Sequence, residues 1–358
     1  MQLITDMQAF PASIVAFTVT VVFMLALRPV ATAIDLIDRP GGRKSHVGDI
    51  PIIGGLAMFA GVLASLTLVG APGGLLVPVL LASALMVTVG VLDDKFALPA
   101  SVRFLTQIAA VLIMVYGADL PLREIGDPFG TGLIDMGRAT LVFTMLVTLT
   151  MINAYNMIDG VDGLAGSLAL IVLLSIAVIG GIGEMSSTIS LTVSAAIVGF
   201  LIFNFPITMN RDTRSFMGDS GSTFLGFTIV WIAISASQGS ERLVSPVICL
   251  WFASIPIYDC LTCFVARALS GKSPLTPGRD HFHHILKRGG MGVRKILGTL
   301  TTLQLIYAIA GLTAHFAGIA DVVMFSVWAV LGVSQRAIIR RIARLHRRRG
   351  MFGNRTTL

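Results

Sequence analysis

Long apolar stretches alternate with short polar connections along the whole chain, and this alternation constrains the fold more than any other feature. A helix needs about 20 apolar residues to cross a bilayer core. Runs of that kind lie near 9–29, 51–70, 75–93, 101–118, 139–157, 162–182, 187–204, 220–237, 243–266, 294–314 and 318–338, bounded by Gly, Pro and charged residues. Composition agrees: 55% of residues are hydrophobic and 13% charged, against about 25% charged in a soluble domain. A soluble enzyme, a disordered chain and a secreted disulfide scaffold are excluded. Cys249, Cys260 and Cys263 share one apolar stretch and read as small apolar helix residues. The C-x-x-C spacing of the last two, without a second pair, is a weak metal or redox signal. Asp6 is the only charge before the first run, so no cleaved signal peptide is expected. The expected fold is all-α: a polytopic membrane bundle of about eleven transmembrane helices.

Charge then orients the bundle. With the N-terminus outside, one face collects 23 of the 26 Lys and Arg residues, and the other keeps only Arg123, Arg138 and Arg242. The positive-inside rule makes the crowded face cytoplasmic and places the C-terminus there too. The net charge of +7 is therefore mainly a topology signal, and no basic–aromatic interleaving suggests nucleic acid. The arginine-rich tail reads as a stop-transfer flank or as a grip on anionic lipid headgroups.

Carboxylates are scarce, with 16 Asp and 3 Glu, and they gather in a few settings. Asp93 and Asp94 end the third run, as a polar helix end or as a site for a divalent cation or proton. In the segment 153–163, Asn153, Asn156, Asp159 and Asp162 recur every three residues, which predicts amide and carboxylate oxygens along one side. Gly160 and Gly163 let a backbone approach a ligand closely. Phe216-Met217-Gly218-Asp219-Ser220-Gly221-Ser222 opens the eighth run, where free backbone N–H groups and the helix dipole would suit phosphate. Asp219 there is a helix cap or a metal ligand. Three of the six histidines, His281, His283 and His284, follow Arg279 in the longest connection on the cationic face. Their basic neighbours favour phosphate over zinc. Arg43, Lys44 and His46, followed by Ile50-Pro51-Ile52-Ile53-Gly54-Gly55, add cations to the same face. Clustered acids, clustered bases and hard-metal ligands at one membrane face are the parts required for phosphoryl transfer.

In order and wording these segments resemble the polyprenyl-phosphate N-acetylhexosamine-1-phosphate transferases. The matching stretches are Arg-Lys-Ser-His with Ile-Pro-Ile-Ile-Gly-Gly, Leu-Asp-Asp, Asn-Ala-Tyr-Asn-Met-Ile-Asp-Gly-Val-Asp-Gly, Phe-Met-Gly-Asp-Ser-Gly-Ser and Arg-Asp-His-Phe-His-His, spanning 39 to about 290. The resemblance implies transfer of N-acetylglucosamine-1-phosphate from UDP-N-acetylglucosamine to undecaprenyl phosphate, releasing UMP, as the first membrane step of a cell-surface glycan such as O-antigen. It implies Mg2+, with Mn2+ able to substitute. It makes Asp219 a metal ligand with Asn156 and Asp159 beside it, and Asp93 a base or organiser of the acceptor phosphate, with Asp94 adjacent. It puts Asn153, Asn204, Phe216 and the Gly160–Val161–Asp162 turn near the nucleotide, and Arg279, His281, His283 and His284 on the diphosphate and sugar. Lys44 is a further phosphate ligand.

The expected organisation is one integral-membrane domain over 1–338, with active-site loops at 35–50, 93–100, 153–163, 204–222 and 267–293, and a basic tail over 339–358. The expected partners are the two substrates and membrane lipids, without nucleic acid; a homodimer is compatible with them. The expected location is a bacterial inner membrane with the site facing the cytoplasm. The alternatives within the family are a member using another UDP-N-acetylhexosamine and, as the nearest runner-up, the muramoyl-pentapeptide branch. Its Thr-Pro-Thr-Met-Gly-Gly and His-His-His segments differ from this chain. A secondary transporter is the alternative of another class, and its acids would lie nearer the bilayer midplane.

Overall fold

The computed structural model describes residues 9–39, 48–68, 73–181, 184–206, 213–271 and 280–353. The helices are α1 (Ala9–Ala33), α2 (Gly54–Leu68), α3 (Gly73–Phe96), α4 (Ala100–Leu112, prolonged by a π-turn at Ile113–Gly117), α5 (Thr140–Ile158), α6 (Leu164–Gly180), α7 (Met185–Asn204), α8 (Gly218–Ser237), α9 (Pro246–Phe252), α10 (Ser254–Leu269), α11 (Phe282–Arg288), α12 (Val293–Phe316) and α13 (Asp321–Gly353). Among the described residues, eight helical stretches are long and apolar enough to cross a membrane, and α2 and α6 are apolar but shorter. The chain is a mainly helical, multi-pass membrane protein.

Two features depart from a purely helical bundle of straight spans. A small antiparallel pair, β1 (Ile37–Asp38) with β2 (Ile50–Pro51), lies outside the helices, in register Ile37 to Pro51 and Asp38 to Ile50. The ninth apolar run is broken: α9 and α10 meet at 87°. Pro256 lacks the N–H that would bond the carbonyl of Phe252, so the helix cannot continue through Ala253. A break inside a bundle leaves backbone groups without partners, which is costly away from water. Buried Gln304 of α12 supplies them. Its Oε1 accepts from Ile255 N–H at 2.8 Å, and its Nε2 donates to the carbonyl of Phe252.

At the centre stands α8, almost wholly buried, packed against α3, α5 and α2. Lipid tails are as apolar as leucine, so helices associate in a membrane by close packing of small residues. Gly90 of α3 meets the backbone of Ser220, and Gly55 of α2 meets that of Gly221, so closely that a methyl group on either glycine would overlap main-chain atoms. The periphery is apolar and open, with Phe10, Val22 and Leu25 exposed on α1 and Val323, Val327, Val330 and Val333 on α13. Beyond Val333, α13 runs on through Arg336, Arg340, Arg341 and Arg344. The basic tail expected from residue 339 is thus, through Gly353, a continuation of the last helix.

Gln304→Leu should therefore destabilise the protein by about 1–3 kcal/mol for each backbone group left unpaired. A thermal melt of the detergent-purified protein checks this; a midpoint equal to wild type would contradict it.

Candidate functional site

The site is assembled at one end of the bundle, where α3, α5 and α7 finish and α8 begins. The last turn of α3 carries both acids of the Asp93-Asp94 pair, inside the helix rather than in the connection after it. Asp93 is buried: its carboxylate accepts from Leu98 N–H at 2.7 Å and from Arg103 Nη1 at 3.1 Å. Asp94 faces the start of α8 and accepts from the backbone N–H of Asp219 at 2.8 Å and of Ser220 at 3.3 Å. These are the N–H groups expected to be free for phosphate. They are taken, because a helix N-terminus attracts the nearest anion and that anion belongs to the protein itself. Gly218 makes the approach feasible. Its φ is +73°, and a side chain there would run into the Asp94 carboxylate.

Asp219 leaves the first turn of α8 between Asn156 and Arg103. Its Oδ1 accepts from Asn156 Nδ2 at 2.7 Å, and its Oδ2 lies 3.8 Å from the Arg103 guanidinium that also holds Asp93. Asn156 donates as well to Ser222 Oγ at 3.1 Å. Asp159 caps the end of α5, half-buried. Burial first, then the charges of Asp219, Asp162 and Asp94, hold its carboxyl well above the ordinary carboxylate range. Carboxylates crowded in this way call for a positive partner. Asp219, Asp159 and Asn156 offer only oxygen donors besides the amide nitrogen, which fits a hard divalent cation.

The expected line of four polar residues does not hold. A helix drifts by about 60° for each step of three residues, so Asn153 points elsewhere, donating to Gln107 Oε1 at 3.0 Å and to the carbonyl of Leu149 at 2.7 Å. Asp162 pairs with Arg214 at 2.5 Å. The Arg214 guanidinium also lies over the Phe216 ring, 5.0 Å from its centroid. Asn204 is buried and ties two loops together: Oδ1 accepts from Gly163 N–H at 2.7 Å and Nδ2 donates to the carbonyl of Ser215 at 2.9 Å. The backbone of Phe216 pairs with the end of β2 and the start of α2, donating to Pro51 at 2.9 Å and accepting from Gly54 at 3.0 Å. Val161 is buried and Gly160 is exposed.

The histidine segment closes over this turn. A methyl group on Gly160 would lie 2.5 Å from His283 Nε2. His283 stands against His284, with ring centroids 4.1 Å apart, and its buried Nδ1 has no hydrogen-bond partner among the described residues. Burial first, then the charges of His284, His281 and Lys287, push His283 down to about 3, so it is neutral at pH 7. His281 behaves oppositely. Burial alone would lower it, but its hydrogen bonds to Asp259 and Cys263 and their charges carry it up to about 10. Asp259, Cys263 and His281 bring three ligand-type atoms within 4.8 Å of one another. Lys44 and Arg279 lie outside the described residues.

Arg103 and Arg214 count only as topology charges in the sequence, yet each holds an acid of the site. Arg103 carries a faint signal: a cation in the first turn of a helix opposes the dipole and needs an anion nearby. The three arginines of the other face belong to the far end of the bundle, where Arg242 pairs with Glu124 at 3.1 Å and Arg123 with Asp119 at 2.7 Å.

The model of Glycosyl transferase family 4 matches residues 76–237. The chain is 34% identical over 305 residues to the undecaprenyl-phosphate alpha-N-acetylglucosaminyl 1-phosphate transferase of Salmonella typhi, covering 84% of this chain and 82% of the relative. It is 33% identical over 307 residues to the protein of the same name in Escherichia coli K12, with the same coverage. The Haemophilus influenzae protein of that name is 32% identical over 305 residues, covering 84% of this chain and 86% of the relative.

Gly218→Ala should lower the thermal midpoint of the purified protein by several degrees, since about 1 kcal/mol or more of backbone strain adds to the lost Asp94 contact. Gly298→Ala, with open space around its added methyl group, is the control and should leave the midpoint near wild type. Equal midpoints for the two variants would refute the assignment.

Proposed function

The chain belongs to Glycosyl transferase family 4, and from that premise we propose that it transfers N-acetylglucosamine-1-phosphate from UDP-N-acetylglucosamine to undecaprenyl phosphate. The products are the lipid pyrophosphoryl sugar and UMP. The observation that carries this reading is the crowd of oxygen donors around Asp219, at the end of an apolar helical bundle. The relatives' names give the undecaprenyl phosphate and the N-acetylglucosaminyl 1-phosphate group.

An oxygen of the acceptor phosphate attacks the sugar-bearing phosphorus. A new P–O–P bond forms as the bond to UMP breaks, and UMP leaves with the electron pair. The second pKa of a phosphate monoester is about 6, so the acceptor is largely dianionic at pH 7 and needs little help from a base. A single in-line displacement follows. Asp93 is an organiser in this scheme, because its carboxylate is engaged by Leu98 and Arg103.

Asp219, Asp159 and Asn156 would hold Mg2+, with Mn2+ as a substitute, and the bound cation would neutralise diphosphate oxygens. Arg103 adds fixed positive charge beside them, and His281 offers a further N–H to the diphosphate or sugar. Neutral His283, with its unpartnered Nδ1, offers a hydrogen bond to the diphosphate or sugar. His284, Arg279 and Lys44 complete the phosphate contacts. The Gly160–Val161–Asp162 turn and Phe216 border the nucleotide, with Asn204 holding that turn from behind. Asn153 acts through Gln107, outside the contact set.

The reading includes eleven spans: the eight long helices, the shorter α2 and α6, and the bent α9–α10 pair. The N-terminus is outside, and the site and the basic end of α13 face the cytoplasm of a bacterial inner membrane. The concentration of Lys and Arg at the site end supports this orientation. Residues 1–338 form one catalytic unit.

Detergent-purified protein given undecaprenyl phosphate should release UMP from UDP-N-acetylglucosamine and not from UDP-MurNAc-pentapeptide; release from neither would overturn the proposal. EDTA should stop the reaction and Mg2+ restore it. Asp219→Asn and Asp159→Asn should each abolish transfer while the protein remains folded in the membrane, as a wild-type melting curve would verify. For His283→Ala, kcat/KM for the donor should fall about 10–100-fold, as expected for one lost hydrogen bond to a charged group.

A further inference from the structure

Asp259 has no part in the reading above, yet it is one of the most enclosed acids in the molecule, 1% exposed on α10. Both of its oxygens are used. Oδ2 bonds His281 Nδ1 at 2.9 Å, and Oδ1 accepts from Phe282 N–H, the first residue of α11, at 2.7 Å. One carboxylate thus grips a side chain and a backbone group at the entrance to the histidine segment. We propose that Asp259 is a positioning residue for transfer, holding His281 in one orientation through its Nδ1–H and seating α11 so that His283 faces the Gly160 turn.

The physical reasons are three. A carboxylate on Nδ1 decides which imidazole nitrogen remains for other partners. A buried acid–imidazole pair resists rearrangement, because parting the two leaves a charge without compensation. Seven-residue α11 is too short to be stable alone, so its start depends on an outside acceptor.

The groups facing His281 are Asp259 and Cys263 from α10 and His283 and His284 from α11, with Lys287 near His283 and Arg267 near Cys260 further along the same two helices. Arg336 from α13 donates to Thr262 O at 3.2 Å and reaches Cys263 Sγ at 3.8 Å. This setting argues against a soft-metal site at Asp259, Cys263 and His281. The carboxylate lone pairs already accept N–H groups, and the thiol faces a guanidinium. Asp259 is the acid that balances the imidazolium.

The inference deepens the transferase reading and rests on it for what the histidines touch. Two measurements on the full-length protein test it. The first needs no turnover: 15N-histidine NMR across pH 6–10, with His281 assigned from His281→Gln. In wild type its Nδ1–H should persist through pH 8, and in Asp259→Asn it should titrate near the ordinary imidazole value of about 6.5. A wild-type His281 titrating near that value would overturn the inference whether or not Asp259→Asn folds. So would one tightly held transition metal per chain that is lost in Cys263→Ser.

The second is kinetic. Asp259→Asn should lower donor kcat/KM about 10–100-fold at pH 8, with the loss shrinking below pH 6.5, and Asp259→Glu should recover part of it. A uniform reduction with the wild-type pH profile would mark Asp259 as merely structural and overturn the inference. Absence of UMP release by wild type would remove the function reading instead, and the NMR result would still decide the Asp259–His281 pairing.

Discussion

The carboxylate of Asp94 receives the backbone N–H groups of Asp219 and Ser220 in the first turn of α8, and through this contact the end of α3 holds the start of the central helix. Asp219 projects from the very residue whose N–H is held. Its place relative to Asn156 and Arg103 is therefore set by an acid on another helix. Gly218 and Gly90 belong to the same arrangement, since a side chain at either would separate α3 from α8. The site is an extension of the packing at the core, where backbones are close enough for a short carboxylate to span them.

Around that contact the polar residues divide into two kinds. Asp93, Asp94, Asn204, Asn153 and Asp259 have their hydrogen-bonding atoms engaged by the protein, and they hold loops and helix ends in place. Asp219 and Asp159 stand among acids of their own sign, and His283 keeps a buried Nδ1 without a partner among the described residues. A membrane protein needs the first kind in quantity. Backbone groups freed at broken helices and turns have no water to fall back on, and a side-chain amide or carboxylate is the usual replacement. Gln304 serves the same purpose at the α9–α10 bend.

Electrostatics at the rim follow from scarcity. With few acids in the chain, any cluster of them stands out, and here they share one enclosure with Arg103, Arg214 and His281. Asp162 is matched by Arg214, Asp93 by Arg103 and Asp259 by His281. Asp219 shares Arg103 more distantly, and Asp159 has neighbours mainly of its own sign. The excess negative charge is thus concentrated where a divalent cation would be held. The paired acids contribute rigidity.

Much of this was legible in the residues alone. Hydropathy places the helices, because about 20 apolar residues can do little else in a bilayer. The clustered Asp, Asn, Gly and His mark the segments that meet at the site, because a charge in hydrocarbon is too costly to keep without a use. Pairings were not legible. Nothing in the order of residues says that Asp94 turns to α8, that Asn153 turns to Gln107 instead, or that Arg214 neutralises Asp162. The run 243–266 reads as one span in the sequence, and neither its break before Pro256 nor the remedy by Gln304, 48 residues further on, is visible there. Local pattern reports how each segment meets its solvent. Which donor meets which acceptor depends on how the helices cross, and crossing is decided by close contacts such as Gly90 on Ser220 that only the assembled bundle contains.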